Sequence, residues 1–220
     1  MKNKKGLFVS FEGLDGSGKT SIINIIQEKI KKTFLDLNLM LVREPGGTKV
    51  GEQIRKVLLS PNNEIEPITE VFLFAASRAE LFSKNSPVIN HLNNGNLLLS
   101  DRFIDSSIVY QGAQGIDRKL IKEINEKATN NLCPDYTFFL MIPPKLILER
   151  TNKKSKNRLD HFAIKFQQKI FDFYKERIKE IELGLTKQKA IEIDASQPLK
   201  NVAEDVWKKI KSIIEKHYYT

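Results

Sequence analysis

The chain has 220 residues, of which 40% are hydrophobic, and a chain of this size can bury a full core as one domain spanning residues 1–220. Its one cysteine, Cys133, excludes an internal disulfide and gives no sign of zinc or redox chemistry, so we expect a structural thiol in a reducing cytoplasm. The formal net charge of +9 fits a nucleic-acid partner, a lysine-rich proteome or a phosphorylated small-molecule ligand, and charge alone does not choose among them.

The first segment of the chain, residues 1–5, is basic, and the apolar run after it ends at Glu12. A run this short is typical of a strand rather than of a signal peptide or a membrane anchor. We therefore expect a cytoplasmic protein with no membrane partner.

Five short apolar runs alternate with longer helical patterns along the chain. The runs predict strands at 7–12, 38–42, 96–100, 136–142 and 190–194. Apolar residues at helical spacing predict helices at about 20–32, 48–59, 67–92, 104–112, 117–130, 144–151, 160–183 and 198–217. This alternation indicates an α/β fold in which a five-stranded parallel sheet carries helices on both faces. Ligands of such sheets bind beyond the carboxyl ends of the strands.

The octapeptide at residues 13–20, between the first strand and the first helix, fits the pattern GxxxxGK[ST] of a phosphate-binding loop. Glycines let the backbone N–H groups curl around a polyphosphate, Lys19 neutralises the outer phosphates, and Thr20 offers a hydroxyl to Mg²⁺. The helix N-terminus that faces the loop adds its dipole to anion binding. The residues expected to bind the phosphates are Gly13, Leu14, Asp15, Gly16, Ser17, Gly18, Lys19 and Thr20.

Two further segments follow predicted strands directly. Asp101 comes after the strand 96–100, where proteins with a phosphate-binding loop keep the acid that helps to hold Mg²⁺, and Arg102 has the planar fork that suits a phosphate. A simple turn is the alternative for this pair. Residues 43–48 form a tight turn, after which Thr48 caps a helix that carries Arg55 nearly two turns later. A purely structural role, as a turn and a helix cap, would also explain these residues.

The helical pattern at 67–92 places Phe74 and Arg78 four residues apart and therefore on one face. An aromatic ring and a guanidinium are what a flat, hydrogen-bonding base requires for stacking and for recognition. Core packing is the alternative, and without other observations it is favoured for Phe72, Phe74 and Leu81.

The most polar stretch, residues 151–158, lies between two helical patterns. A solvated charged loop is the default interpretation of such a run. In a protein that handles phosphates it would instead be a lid, at about 150–160, that brings cations over the transferred group.

Taken together, the motifs resemble those of the thymidylate kinases, in the bacterial form that carries its catalytic cation in the lid. The resemblance runs nearly end to end, and five landmarks carry it in the family's order: FEG with the phosphate-binding loop from residue 11, REPGGT from 43, FAASR from 74, DRFIDSS from 101 through YQG at 110, and NRLD from 157. It implies the fold of the P-loop nucleoside monophosphate kinases and transfer of the γ-phosphoryl group of ATP to dTMP, which gives dTDP and ADP.

The resemblance also implies cofactors, partners and a role for each site residue. ATP and Mg²⁺ would bind at the loop, with Thr20 and Asp101 near the metal, and the protein would be a homodimer. Asp15 would contact the sugar 3′-hydroxyl, and Tyr110 would crowd the 2′ position. The residues around the acceptor would be Phe74, stacked on thymine; Arg78, donating to O4; Ser107 and Gln111, facing the base; and Arg55 and Arg102, holding the acceptor phosphate.

Position 16 departs from one branch of the family, because it is Gly rather than the arginine that some thymidylate kinases carry in the loop. The catalytic cation is therefore expected in the lid, where the candidates are Arg158 and Lys154, beside Lys153 and Lys156. Lys19 and Arg102 complete the expected catalytic set.

Two other functions stay open at this point. The first is a P-loop kinase that acts on a different nucleoside or nucleotide. The second is a nucleic-acid-dependent ATPase, which the positive charge suggests, although the sequence shows no stripe of basic residues interleaved with aromatics. We expect no nucleic-acid partner.

Overall fold

The computed structural model describes residues 5–150 and 164–220, and within them one to three α-helices separate each strand from the next, with five strands and nine α-helices in all. The strands are β1 (Leu7–Glu12), β2 (Leu39–Arg43), β3 (Leu97–Asp101), β4 (Tyr136–Met141) and β5 (Lys189–Asp194). The helices are α1 (Lys19–Thr33), α2 (Lys49–Leu59), α3 (Pro67–Leu81), α4 (Pro87–Asn93), α5 (Ile104–Ala113), α6 (Arg118–Ala128), α7 (Pro144–Arg150), α8 (Ile164–Glu182) and α9 (Leu199–Ile214), and a π-helical turn, Glu215–Tyr219, follows α9. None of the described helices is both long and apolar enough to cross a membrane.

The strands form one parallel sheet in the order β2-β3-β1-β4-β5, which confirms the predicted α/β class. After β1 the chain forms β2 and β3 on one side of β1, and then β4 and β5 on the other side, so the direction in which strands are added reverses at β1. In the register of the sheet, Phe11 and Arg43 both lie beside Asp101. The carboxyl ends of β1, β2 and β3 therefore meet at one level, where the predicted phosphate-binding and metal-binding residues lie.

The core lies on both faces of the sheet. On β3, Leu97 and Leu99 belong to one buried cluster and Leu98 to the other, and all three are 0% exposed. The continuous apolar run of β3 is typical of a strand that is buried on both faces of a parallel sheet. One cluster includes residues of α1, α8 and α9, and the other includes residues of α3 and α4.

The predicted long helix at 67–92 was wrong, because the structure has two helices there, α3 and α4. The break follows from the residues at the start of α4: the Ser86 side chain accepts a hydrogen bond from the backbone N–H of Ile89, and Pro87 occupies the first turn. Core packing is confirmed for Leu81, which is buried, and was wrong for Phe72, which is 56% exposed.

Candidate active site

The loop at residues 13–20 joins β1 to α1 and holds a backbone conformation that depends on glycine. Gly13 has a φ of 143°, and a Cβ added to it would lie 2.6 Å from the Leu140 carbonyl oxygen. Gly18, which precedes α1 as its N-cap, has a φ of 88°. Because L side chains rarely adopt these angles, the two glycines let the loop turn directly from the strand end into the helix N-terminus.

Lys19 folds back onto this loop. Its Nζ donates to the carbonyl oxygens of Gly13 and Leu14, at 3.0 and 2.9 Å, and its side chain is almost fully buried. Burial, together with the nearby positive charge of Arg102, lowers the pKa of Lys19 to about 8. In the free protein Lys19 therefore stays mostly protonated near pH 7 and begins to lose its charge near pH 8.

Thr20 and Asp101 bring two oxygen donors together at the end of the sheet. The Thr20 hydroxyl donates to Asp101 Oδ2 at 3.0 Å. Among the described residues, no group of three or more His, Cys, Asp and Glu side chains could hold a metal ion. This donor set suits Mg²⁺, which binds proteins through one or two oxygens and keeps its other positions for water and phosphate.

Arg102 lies at the centre of the site and has a φ of 73°, in the left-handed region. Its Nη1 donates to the Gly13 carbonyl oxygen at 3.1 Å and to Ser106 Oγ at 2.8 Å, while Nη2 donates to Asp15 Oδ1 at 2.6 Å. The guanidinium carbon also lies 5.3 Å from the centre of the Tyr110 ring. One guanidinium therefore contacts both the phosphate-binding loop and α5.

The carboxylate of Glu12, at the end of β1, is completely buried behind Arg102. It accepts hydrogen bonds from the backbone N–H of Phe103 at 2.8 Å and from the Ser106 hydroxyl at 2.5 Å, and Tyr174 of α8 donates to it at 3.1 Å. Burial, followed by the nearby Asp105 carboxylate, raises the pKa of Glu12 to about 6.

A cleft of about 390 Å³ opens at the carboxyl ends of the strands. Its walls include Lys19, Thr20 and Asp101. All the residues predicted to bind the acceptor also line it: Asp15, Arg55, Phe74, Arg78, Arg102, Ser107, Tyr110 and Gln111. The fold thus brings residues from five separate segments to a single cleft.

Arg78 of α3 lines the cleft, and its guanidinium is tightly held. Its Nε lies 2.5 Å from Glu44 Oε2, Nη1 donates to Ser107 Oγ at 3.2 Å and also to Asn125, and Nη2 donates to the Phe103 carbonyl oxygen at 3.2 Å. These contacts leave one N–H of Nη2 for a ligand. Burial, only partly offset by Arg78, raises the pKa of Glu44 to about 7.

Three other predicted residues also line the cleft. Phe74 is half-buried and lines the cleft, rather than being enclosed in the core. Tyr110 donates to Asp15 Oδ2 at 3.3 Å, so the loop and α5 are also joined here. Arg55 donates to the Pro45 carbonyl oxygen at 2.8 Å, which fixes its guanidinium over the turn that follows β2.

Sequence reasoning missed Glu70 and Gln114, which both line the cleft. Glu70 is completely buried, and Gln114 donates to it at 3.0 Å. The available signal was helical spacing, because Glu70 lies one turn before Phe74 and two turns before Arg78 on α3. The predicted lid cations Lys154 and Arg158 lie outside the described residues, as does most of the predicted lid at 150–160.

Comparison with known proteins agrees with this architecture. A family model described as Thymidylate kinase matches residues 11–206. The chain is 38% identical over 211 residues to a protein named thymidylate kinase from Thermoanaerobacter sp. (strain X514), with 96% of this chain and 100% of that protein covered. It is also 38% identical over 212 residues to a protein of the same name from Caldanaerobacter subterraneus subsp. tengcongensis, covering 96% and 98% of the two chains. The chain therefore belongs to the thymidylate kinase family.

Proposed function

We propose that the chain transfers the γ-phosphoryl group of ATP to the 5′-phosphate of dTMP, which gives dTDP for DNA replication. The single observation that carries this proposal is that the phosphate-binding loop lines the same cleft as Phe74 and Arg78, and that the Arg102 guanidinium contacts both the loop and α5. That arrangement suits two nucleotides whose phosphates meet at Arg102.

Phosphoryl transfer between phosphates needs little covalent help from the protein. The acceptor oxygen is already an adequate nucleophile, so alignment of the two phosphates, charge neutralisation and exclusion of water supply the catalysis. Lys19 and Arg102 neutralise charge along the line of transfer. The backbone N–H groups of Gly13–Thr20 hold the phosphates of ATP.

Mg²⁺ would be held by Thr20 and Asp101, whose oxygens already lie in contact. When bound, the ion supplies positive charge to the ATP phosphates. The lid supplies the remaining cation in this proposal, because position 16 of the loop is Gly; we assign this task to Arg158 and Lys154.

The acceptor nucleotide is read by residues on both sides of the cleft. Phe74 stacks on the thymine ring, Arg78 donates to O4, and Ser107 and Gln111 face the base. Arg55 and Arg102 hold the 5′-phosphate. Asp15 contacts the 3′-hydroxyl, and Tyr110, fixed against Asp15, leaves little room for a 2′-hydroxyl.

We also propose that the protein is a homodimer in the cytoplasm that needs neither nucleic acid nor a membrane. Support for the dimer comes from α2 and α3, which pack against each other and carry the exposed apolar residues Val50, Val57, Ile68 and Phe72. Such residues on neighbouring helices are typical of a surface that a partner covers.

Substrate specificity is tested with a coupled assay of ADP release across dTMP, dUMP, dCMP and dAMP. We expect release to depend on dTMP and to be weak with the other three, because the base contacts fit thymine. Equal turnover of all four nucleotides would remove the assignment of dTMP.

The role of Lys19 is tested in the same assay. In Lys19→Ala, which keeps the fold but removes the loop cation, we expect turnover to fall by about 100-fold or more.

The protonation of Lys19 gives a pH-dependent signature of ATP binding. With a pKa lowered to about 8, Lys19 is about half protonated at pH 8 in the free protein, and the negative phosphates raise that pKa on binding. We therefore expect ATP binding to take up more protons at pH 8 than at pH 7, measured by titration calorimetry in buffers of different ionisation enthalpy. In Lys19→Met we expect the same proton uptake at the two pH values. Equal proton uptake by the wild-type protein at both pH values would contradict this assignment.

The lid assignment is tested by alanine substitution. Lys154→Ala and Arg158→Ala should each lower kcat by about 100-fold while changing the affinity for dTMP little, because the cation acts on the transferred group. Lys153→Ala and Lys156→Ala are matched controls and should stay near the wild-type rate. Full turnover by Lys154→Ala and Arg158→Ala would refute the assignment to these two residues, and full turnover by all four variants would show that the lid does not supply the cation.

The dimer is tested by sedimentation at micromolar concentration. We expect a dimer for the wild-type chain and a monomer for Phe72→Asp, because the substitution places a charge in the proposed interface. Leu183→Asp makes the same kind of change at another exposed position and should stay dimeric. A monomeric wild-type chain would refute the proposal.

A further inference from the structure

Glu70 is a buried acid at the base-binding end of the cleft whose presence the phosphoryl transfer does not require. It lies on α3, is 0% exposed and lines the cleft together with Phe74 and Arg78. An acidic side chain is rarely buried completely unless it is paired with a charge or hydrogen-bonded. Its contacts therefore indicate what it does.

Two carboxamides from the end of α5 converge on one oxygen of Glu70. Gln114 Nε2 donates to Glu70 Oε2 at 3.0 Å, and Gln111 Nε2 donates to the same oxygen at 3.5 Å. The carboxamide oxygen of each glutamine is buried and accepts no hydrogen bond from the part of the chain that the structure describes. Buried acceptors are normally satisfied, so each oxygen is available to a donor on a ligand or a water molecule.

A glutamine carboxamide is ambiguous as a reader of bases, because rotation by half a turn exchanges its donor and its acceptor. A carboxylate removes the ambiguity, since it only accepts hydrogen bonds. With Glu70 beside it, Gln111 turns its NH₂ group toward the acid and its oxygen away from it. The orientation of the carboxamide is thus fixed, and Gln111, which lines the cleft, keeps its oxygen as an unsatisfied acceptor on the side away from Glu70.

The fixed orientation matters because the hydrogen-bonding groups of thymine and cytosine differ at two adjacent ring positions. Thymine offers an N3–H donor and an O4 acceptor, which match the Gln111 oxygen and the remaining N–H of Arg78. Cytosine offers an N3 acceptor and a 4-amino donor. Cytosine would place acceptor against acceptor at Gln111 and donor against donor at Arg78.

We propose that Glu70 is a positioning residue that locks the Gln111 carboxamide with its oxygen toward the base and thereby excludes dCMP from the acceptor site. The inference rests on the proposed function, because it concerns the choice between two acceptor nucleotides. Glu70 acts through Gln111 and touches neither substrate.

The test is the ratio of kcat/KM for dTMP to that for dCMP in Glu70→Gln. The substitution keeps the size of the side chain but supplies both a donor and an acceptor, so Gln111 is free to turn. We expect the ratio to fall by about tenfold or more, mainly because dCMP becomes a better substrate. Glu80→Gln, the same change at an exposed position of α3, is the matched control and should leave the ratio unchanged.

A double-substitution cycle separates this role from a structural one. In a Gln111→Met background no carboxamide remains to be oriented, so adding Glu70→Gln should leave the ratio unchanged. An equal loss of the ratio in both backgrounds would show that Glu70 acts directly or through the fold, and would overturn the proposal. Glu70→Asp, which withdraws the carboxylate by one methylene, serves as a second variant if Glu70→Gln does not fold, and should lower the ratio as well.

Failure of this inference differs from failure of the proposed function. A wild-type protein that does not phosphorylate dTMP would refute the proposed function itself. A wild-type protein that phosphorylates dTMP and rejects dCMP, together with a Glu70→Gln variant of unchanged ratio, would refute only the role of Glu70.

Discussion

Glu12 places a full carboxylate inside the protein, where the sheet, α5 and α8 meet, and the geometry of the cleft depends on how that charge is satisfied. Burying it is costly unless donors surround it, and the donors come from the N-terminus of α5, from the Ser106 hydroxyl and from Tyr174 on α8. Because these bonds hold the start of α5 against the end of β1, they also fix where Arg102 emerges. The position of the guanidinium between the two halves of the cleft is thus set by a group that faces away from the ligands.

In the free protein, the cations of the site are satisfied by the protein itself. Lys19 donates to two loop carbonyls, and Arg102 pairs with Asp15 of the same loop. Incoming phosphates must therefore replace contacts that these cations already make within the protein. The free energy of binding then reflects only the difference between the two sets of contacts. The same arrangement keeps two buried positive charges close to each other without a ligand, and burial, followed by the charge of Arg102, lowers the pKa of Lys19 to about 8.

The sheet and the loop could be predicted from the sequence because each rests on a local pattern: an apolar run for a strand, and fixed glycines before a lysine for the loop. The resemblance to thymidylate kinases then supplied residues that no local pattern distinguishes, such as Phe74, for which core packing is the favoured interpretation without other observations. The prediction failed where long-range packing decides. Phe72 looked like core because it is aromatic, but its side of α3 faces outward. Glu70 went unnoticed because an acid on a helix usually faces solvent, and only the fold shows that two glutamines of α5 enclose it. The separation of α3 from α4 had a signal in Ser86 and Pro87, but the helical pattern that continues across it masked the cap.

The left-handed backbone at Arg102 sets a limit on how far this protein can be stabilised by design. A residue with a side chain in that region costs on the order of 1 kcal/mol, and glycine would remove the cost. Methods that repair backbone strain would therefore select Arg102 for replacement, although its side chain bridges the loop and α5. At this position a substitution that raises thermal stability would lower turnover. Substitutions that stabilise the protein should therefore be sought in the helices remote from the cleft.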